Sequence, residues 1–260
     1  MKQKIFILIR RLAYIALGII GALFLKKEKG VIVFCYHSIA NDSWRFSINL
    51  DDFKKQIERL VESRRPISIE ELLSYIKGDK IIREPAFLLT FDDGYRDLVS
   101  VKSFLKKKGI KPVAFVLARP DEANREELDN TRPFLNIEEI LELKAAGWEI
   151  GRHSSTHSDF SKLSSEELRF EIIGAKLELE RELGFSVKYF AYPKGKHSNE
   201  ITSLVKEAGY EAAFSMDNGY AGSHNNIFLI PRIGVDRTHT YKEFAYFTGP
   251  LVMFIRKLIN

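Results

Sequence analysis

Short apolar runs alternate with longer amphipathic stretches along the chain from residue 31 onward. Runs rich in β-branched and aromatic residues predict strands, and the stretches between them predict helices. The predicted strands are Val31–Tyr36, Ala86–Phe91, Pro112–Ala118, Trp148–Gly151, Lys188–Tyr192, Glu211–Ser215 and Ile227–Val235. This regular alternation predicts an α/β fold with a parallel sheet. About seven strands favour a distorted, incomplete (β/α) barrel over an open doubly wound sheet.

Capping residues support the helices between these strands. Ser68, Asn136 and Ser164 are each followed three residues later by a glutamate, which is the pattern of a capping box. Glycines stand where the helices are expected to end, at Gly78, Gly109, Gly147, Gly184 and Gly209.

The first thirty residues have a different pattern. An apolar run, Leu12–Leu25, lies between the pairs Arg10-Arg11 and Lys26-Lys27. A helix of that length rises about 21 Å, short of the roughly 30 Å hydrocarbon core, but flanking basic side chains can reach the interface. We therefore expect residues 1–30 to form a membrane anchor, either a single-pass transmembrane signal anchor or an interfacial helix. The alternative is an amphipathic helix packed on the domain.

Charge and composition narrow the class of protein. The chain has 260 residues, 45% hydrophobic and 29% charged, as expected for one globular domain, which we place at residues 31–260. The net charge is +5, and the first thirty residues alone account for +6. The nearly neutral remainder argues against nucleic acid as a partner. The charge around the apolar run weakly favours a domain outside the cytoplasmic membrane.

Polar side chains follow several predicted strands at the ends where (β/α) barrels carry their chemistry. Asp92 and Asp93 end the second strand, and His153 and His157 follow the fourth. One carboxylate and two imidazoles are the ligand set of an open, catalytic zinc site. Alone, an Asp-Asp-Gly run is a common turn, and paired histidines are often idle. Together on consecutive loops they predict a metal-dependent hydrolase.

The runs TFDDGY, HSSTH and FAYPKG resemble the three motifs of the polysaccharide deacetylases with a NodB homology domain. The FCYHSI run is similar to the branch that deacetylates poly-N-acetylglucosamine. The resemblance extends over residues 31–235, with a motif core at residues 84–235. It implies a distorted (β/α) barrel and a divalent metal, most often Zn²⁺. The implied activity is removal of acetyl groups from N-acetylated sugars in a polysaccharide.

The resemblance also implies roles for individual residues. Asp92 would be the general base, while Asp93, His153 and His157 would hold the metal. The third motif would contact the substrate and stabilise the oxyanion, chiefly through the backbone N–H of Lys194; its residues are Tyr192, Pro193, Lys194 and Gly195.

Two positions depart from the usual family pattern. The late histidine that serves as general acid is not evident, so we predict His37 for this role, with His239 as the fallback. A strand-end histidine satisfied by hydrogen bonds is the alternative for His37. The arginine that usually precedes the third motif is also absent. We expect Arg232 to replace it by pairing with Asp92 or binding substrate, unless it forms a structural ion pair.

Two further segments have open interpretations. Arg152, beside a predicted ligand, is expected to be solvated or paired with an acid. The aromatic and basic run Tyr241–Ile259 is expected to pack against the barrel, or else to lie on a membrane interface.

Three functions are compatible with these features. The first is deacetylation of an N-acetylglucosamine-type polymer, with an acetylated polysaccharide as partner. The second is removal of an acyl or formyl group from a lipid-linked sugar, which the apolar N-terminus would suit. The third, of another class, is a carbohydrate-binding protein without catalysis. A metalloprotease is disfavoured because the glutamate of an HExxH motif is absent.

Overall fold

A curled sheet of parallel strands forms the centre of the molecule in the computed structural model, which describes residues 2–24, 30–124, 128–129, 131–239, 241–244, 246 and 249–259. The strands are β1 (Val31–Tyr36), β2 (Ser38–Ile39), β3 (Ser47–Ile48), β4 (Arg65–Pro66), β5 (Ala86–Phe91), β6 (Val113–Val116), β7 (Glu149–Arg152), β8 (Tyr189–Ala191), β9 (Ala212–Phe214) and β10 (Ile233–Gly234). The helices are α1 (Lys2–Phe24), α2 (Leu50–Ser63), α3 (Ile69–Lys77), α4 (Lys102–Lys107), α5 (Ile137–Ala145), α6 (Ser165–Arg169), α7 (Lys176–Leu183), α8 (Asn199–Glu207), α9 (Tyr241–Phe244) and α10 (Pro250–Ile259).

Seven strands follow one another in the order β10-β1-β5-β6-β7-β8-β9, and every pairing is parallel. The short strand β4 pairs with the start of β5, while β2 and β3 pair separately. The result is the predicted incomplete (β/α) barrel, which confirms the fold class. It also brings the carboxyl ends of β1, β5 and β7 to one side of the sheet.

The last strand is much shorter than predicted. Of the run Ile227–Val235, only Ile233–Gly234 forms a strand, and Ile230 makes a single bridge to Phe214. Pro231 lies between them and has no N–H to donate to a ladder, which explains the interruption.

Burial on both faces explains why the central strands are continuous apolar runs. All six residues of β1 are buried. Val31 and Val33 pack in one apolar cluster, whereas Ile32, Phe34 and Tyr36 pack in the other. Strands of parallel sheets covered on both faces have this composition.

The predicted helix ends are confirmed. Ser68 caps α3, and complete capping boxes at Asn136 and Ser164 begin α5 and α6. Gly78 and Gly184 end α3 and α7 with φ angles of 85° and 74°. These left-handed conformations favour glycine because it has no Cβ.

The two ends of the chain pack on each other and on the barrel. Helix α1 packs against α10, and Arg10 Nε donates a hydrogen bond to Glu243 Oε1 at 2.9 Å. Phe244 stacks on Phe34 of β1, with ring centroids 5.6 Å apart. In the part of the chain that the structure describes, no helix is sufficiently long and apolar to cross a membrane. Membrane attachment of residues 1–30 stays a prediction.

Candidate active site

A cavity of about 300 Å³ opens where β1, β5 and β7 end. Asp92 and Asp93 follow β5, His153 and His157 follow β7, and His37 follows β1. The backbone N–H of Asp92 donates to the carbonyl of Tyr36 at 2.9 Å, which extends the pairing of β1 and β5 to the cavity. Six predicted site residues line this cavity: His37, Asp92, Asp93, His153, His157 and Lys194.

Three of these side chains form the geometry of a metal site. Asp93 Oδ1 lies 3.4 Å from His153 Nε2 and 3.5 Å from His157 Nε2. Tetrahedral zinc, with bonds of about 2.0–2.1 Å, requires ligand atoms about 3.3–3.4 Å apart. Asp93 Oδ1 is buried and has no hydrogen-bond partner among the described residues. A buried, unsatisfied carboxylate oxygen requires a cation or a proton, so this donor set fits a divalent metal.

The two imidazoles are in the chemical state that metal binding requires. His153 Nδ1 lies 2.9 Å from the carbonyl oxygen of Ala191, and a proton on Nδ1 leaves Nε2 free as a ligand. Burial lowers the pKa of His153, and burial followed by the nearby His153 lowers the pKa of His157 to about 3. Both rings are therefore neutral at pH 7, as metal ligands must be.

Asp93 has the opposite electrostatic environment. Burial raises its pKa well above the ordinary value, and the charge of Asp92 raises it further. A cation between Asp93 and the two imidazoles would reverse this effect by stabilising the ionised carboxylate.

The backbone of the site is in an unfavourable conformation at four positions. Asp93, Ser154, His157 and Lys194 have φ angles of 69°, 69°, 62° and 56°. They are the non-glycine residues with positive φ in the described part of the chain, and all four lie in the three motifs. Because such backbone is costly and clusters at functional sites, it supports a functional role for these loops.

A buried glutamate holds the loop that carries both histidines. Glu171 accepts hydrogen bonds from the backbone N–H groups of Ser155 and Thr156, at 2.9 and 3.0 Å, and from the Thr156 hydroxyl. Ser154 Oγ accepts from the N–H of His157 at 3.0 Å. Glu171 belongs to a π-helical turn, Phe170–Gly174, a rare element that is frequent at functional sites. Sequence reasoning missed Glu171 because its surroundings carry no motif.

The expectation for Arg152 is wrong. Its side chain is fully buried and donates to the carbonyl groups of Glu171 and Ile172, at 2.8 and 2.6 Å. It also donates to the hydroxyl groups of Ser155 and Tyr210. Arg152 is therefore bound by neutral acceptors rather than by water or an acid. Its hydrogen bonds hold the π-helical turn against the loop that carries the two histidines.

Asp92 is held by an arginine from the far end of the chain. Arg232 donates two hydrogen bonds, from Nη1 to Asp92 Oδ1 at 2.6 Å and from Nη2 to Asp92 Oδ2 at 2.7 Å. The Cys35 thiol donates to the same Oδ2 at 3.3 Å. Burial by itself raises the pKa of Asp92, but the charge and hydrogen bonds of Arg232 outweigh burial and hold that pKa below its ordinary value. Asp92 is therefore ionised at neutral pH.

His37 lines the same cavity as the proposed metal ligands. One of its ring nitrogens is within 4.8 Å of an Asp92 carboxylate oxygen. Its Nδ1 is buried and has no hydrogen-bond partner among the described residues. Burial lowers the pKa of His37 to about 4. The fallback acid, His239, does not line this cavity. Its Nδ1 lies 3.0 Å from Asp236 Oδ1, and its side chain lines a different cavity.

The third motif forms a tight turn at the edge of the cavity. Lys194 lines the cavity, and a Cβ at Gly195 would meet Met216 Cβ at 2.5 Å, so the turn requires glycine there. Pro193 begins the turn. Tyr192 is buried and donates from its hydroxyl to the carbonyl of Phe228 at 3.0 Å, so its polar end is used by the fold. The oxyanion role of the Lys194 backbone stays a prediction.

An apolar wall completes the cavity, and sequence reasoning did not locate it. Its residues are Trp44, Phe46, Leu128 and Met216. Phe46 lies 4.8 Å from the ring of His37 and 5.3 Å from that of Trp44. Both aromatic residues lie in the connection between β1 and α2, where no motif marks them.

This arrangement, a buried carboxylate and two imidazoles beside a second, arginine-held carboxylate, defines a metal-dependent hydrolase built at the open end of a parallel barrel. Comparison with known proteins specifies the class further. The family model of the polysaccharide deacetylases matches residues 80–213, and the chain belongs to this family. It is accordingly a hydrolase that removes acetyl groups from a polysaccharide, in a family that uses a divalent metal.

Individual relatives agree with this assignment. A poly-beta-1,6-N-acetyl-D-glucosamine N-deacetylase of Staphylococcus aureus (strain MRSA252) is 24% identical over 213 residues, which are 76% of this chain and 71% of the relative. The structure of IcaB from Ammonifex degensii has a TM-score of 0.73 at 22% identity, covering 89% of this chain and 98% of that one. The Streptococcus pyogenes deacetylase PplD, solved with acetate, has a TM-score of 0.69 at 21% identity, covering 84% and 97%.

Proposed function

We propose that the protein is a zinc-dependent deacetylase of a polymer built from N-acetylglucosamine. The observation that carries the proposal is the set formed by Asp93, His153 and His157, with the Asp92–Arg232 pair at its side. Two imidazoles and one carboxylate at this spacing suit zinc and leave a position open for substrate. The name of the Staphylococcus aureus relative supports the choice of polymer.

Asp92, His37 and the backbone of Lys194 have separate roles in the reaction. When bound, the metal supplies Lewis acidity toward the acetyl carbonyl and the attacking water. Asp92, kept ionised by Arg232, accepts a proton from that water. His37 is neutral at pH 7 because of its lowered pKa, so the proton that Asp92 accepts must reach His37 before His37 can deliver it to the departing amine. The backbone N–H of Lys194 stabilises the oxyanion.

The apolar wall supplies the sugar-binding surface. Trp44 and Phe46 present aromatic rings to the cavity next to His37. Aromatic rings bury apolar area with little loss of side-chain freedom, which suits packing on the C–H face of a sugar ring.

Helix α1 attaches the domain to the surface of a membrane. Its outward side chains are apolar, with Ile9, Leu12, Ile19 and Ile20 exposed by 45% to 61%, while Arg10 is turned inward to Glu243. Basic residues at both ends of this segment complement anionic lipid headgroups. The catalytic domain lies outside the cytoplasmic membrane in this arrangement.

The activity is tested by measuring acetate release from β-1,6-linked N-acetylglucosamine oligomers with the full chain. We expect release to disappear after chelation and to return when zinc is restored. β-1,4-linked oligomers serve as the comparison for linkage. If the folded, zinc-loaded protein releases no acetate from either oligomer, the proposed function is wrong.

The membrane attachment is tested by flotation with vesicles of phosphatidylcholine and phosphatidylglycerol. We expect the wild type to float with the vesicles and Leu12→Glu with Ile19→Glu to remain below, since both positions are exposed and tolerate the change. Equal flotation of the two proteins would contradict the proposal.

A further inference from the structure

Arg132 belongs to the connection between β6 and α5, and it is not one of the residues that line the catalytic cavity. Its side chain is only 11% exposed, and its guanidinium group binds three carboxylates from three separate segments. Nη1 donates to Asp97 Oδ2 at 2.7 Å, and Nη2 donates to Asp42 and, at 3.3 Å, to Asp129 Oδ2. A planar group with five donors can satisfy several acceptors in a fixed geometry. Arg132 therefore ties together the loops that follow β2, β5 and β6.

Two of these carboxylates fix the connection between β1 and α2. Asp42 Oδ1 accepts a hydrogen bond from the backbone N–H of Trp44 at 2.9 Å. Asp97 Oδ1 accepts from the backbone N–H of Ile39 at 3.0 Å, and Asp97 Oδ2 accepts from the Ser38 hydroxyl at 2.7 Å. The segment that carries the aromatic part of the apolar wall is thus held, through these carboxylates, by one guanidinium group.

Arg132 also contacts the Trp44 ring directly. Its guanidinium carbon lies 5.7 Å from the ring centroid of Trp44 and 5.7 Å from that of Tyr95. A cation within about 6 Å of an aromatic face is attracted to it. The Trp44 centroid in turn lies 5.3 Å from that of Phe46 and 6.5 Å from that of His37. The Trp44 ring therefore links the guanidinium group to two residues that line the catalytic cavity.

We propose that Arg132 is a positioning residue for the saccharide, and that it acts through Trp44. The proposal rests on the proposed deacetylase function, in which Trp44 packs against the sugar ring. Without the guanidinium group, Asp42, Asp97 and Asp129 are like charges gathered at one point, and their repulsion separates the loops. The Trp44 ring then loses both the cation on its face and the fixed backbone that carries it. These contacts lead to the aromatic wall rather than to the metal ligands or the general base, so the loss falls on substrate binding.

The kinetic test measures KM and kcat on β-1,6-linked N-acetylglucosamine oligomers with the zinc-loaded full chain. We expect Arg132→Met to raise KM about tenfold, with kcat and zinc affinity within about twofold of the wild type. Arg96→Met, which removes an exposed arginine paired with Glu139 in the same turn as Asp97, is the matched control. A wild-type KM in Arg132→Met, or a fall in kcat at unchanged KM, overturns the proposal.

A double-mutant cycle distinguishes the positioning of Trp44 from a general effect on the fold. We expect Trp44→Ala alone to raise KM about tenfold, and Arg132→Met to add less than about twofold in that background, because its effect requires the indole ring. Independent effects would instead multiply to about a hundredfold. That result overturns the proposed action through Trp44.

Acrylamide quenching of tryptophan fluorescence tests the position of the Trp44 ring without any turnover. The chain has two tryptophans, and Trp148 is only 1% exposed, so quenching reports on Trp44. We expect the quenching constant to rise about twofold in Arg132→Met, because the loop opens locally, and to keep its wild-type value in Arg96→Met. Equal quenching in the wild type and in Arg132→Met overturns the proposal. If the wild type releases no acetate from the oligomers, the deacetylase function fails, and quenching still decides whether Arg132 holds Trp44.

Arg132→Lys keeps the charge and takes the place of Arg132→Met in each measurement if Arg132→Met does not fold. An ammonium group lacks the planar fork that contacts three carboxylates at once, so we expect KM to rise about threefold, with a smaller increase in quenching. Wild-type KM and quenching in this variant would then overturn the proposal.

Discussion

Two chemically identical carboxylates of the catalytic cavity, Asp92 and Asp93, have opposite electrostatic environments. Asp92 and Asp93 are adjacent in the chain and each is only 2% exposed. Arg232 saturates both oxygens of Asp92 and holds its pKa low. Asp93 has no arginine, and one of its oxygens faces two neutral imidazoles while its pKa is raised. The backbone conformations differ as well, since Asp93 has a left-handed φ of 69° and Asp92 does not have a positive φ.

This contrast shows how one dipeptide provides two functions. A carboxylate that is already neutralised by an arginine is a poor metal ligand but remains ionised as a proton acceptor. A carboxylate that lacks a cation binds one strongly, since leaving it charged and buried is expensive. Asp92 and Asp93 can therefore have different roles, as base and as metal ligand, although they are adjacent in the sequence.

Replacing Asp92 and Asp93 separately by asparagine is the strongest test of the difference between these two carboxylates. We expect Asp93→Asn to lose the metal and all measurable acetate release, and Asp92→Asn to keep the metal while release falls about 10²- to 10⁴-fold, as expected for loss of a general base. Asparagine tolerates the left-handed backbone at position 93, so the fold is preserved. Metal content by mass spectrometry and acetate release are measured on the same samples.

The control for this pair is Asp51→Asn, an exposed carboxylate in the first turn of α2. It is expected to retain full metal content and activity. Equal metal loss in Asp92→Asn and Asp93→Asn would show that the two carboxylates share the cation, contrary to the division drawn here.

Removing the arginine should make Asp92 resemble Asp93. In Arg232→Met the buried carboxylate loses its partner, which should lower the free energy of unfolding by about 3–5 kcal/mol. The pKa of Asp92 should rise, so the acidic limb of the kcat/KM profile moves to higher pH. Urea denaturation and the pH profile measure the two effects.

The double variant Arg232→Met with Asp92→Asn supplies the comparison for that experiment. It removes the unpaired charge and should recover part of the lost stability. An unchanged acidic limb in Arg232→Met would mean that Arg232 does not set the ionisation of Asp92.

The elements predicted most accurately from sequence are those whose beginning and end are both marked by neighbouring residues. Predicted and observed bounds coincide for β1 and β5, because each is a predominantly apolar run followed directly by a polar or charged residue. The run Ile227–Val235 was overextended, since its apolar character persists on both sides of Pro231 while its hydrogen bonding does not. An apolar composition therefore predicts that a segment is buried more reliably than it predicts that the segment pairs with a neighbouring strand.

The same distinction applies to the site. The proposed metal ligands lie in contiguous motifs and could be predicted, whereas Trp44 and Glu171 act through tertiary position in segments without any motif. The N-terminal helix illustrates the limit most clearly. Its apolar run predicts an anchor, but nothing in that run indicates that Arg10 is turned toward Glu243.

Glu171, which holds the loop carrying His153 and His157, provides a test of how the metal ligands are positioned. Glu171→Gln keeps one acceptor oxygen but places an NH₂ group near the N–H donors of Ser155 and Thr156. We expect metal affinity to fall about 10- to 100-fold, as for other residues that orient ligands, with the free energy of unfolding of the metal-free protein changing less. Competition with a fluorescent zinc chelator measures the affinity. Glu178→Gln, at an exposed carboxylate on α7, is the control, and equal affinity in both variants would remove Glu171 from the site.

The smallest expected effect concerns His37, which lines the catalytic cavity. Its pKa of about 4 in the folded protein is below the ordinary value of 6.5, so the unfolded chain binds more protons between these pH values. The free energy of unfolding should therefore be highest above pH 6.5 and fall as the pH is lowered, with this group contributing a loss of about 2 kcal/mol between pH 7 and pH 4.5. His37→Gln cannot be protonated and should lose less stability over the same interval. Urea denaturation of the chelated proteins at pH 7 and pH 4.5 measures the difference, and identical losses would mean that the environment of His37 does not favour its neutral form.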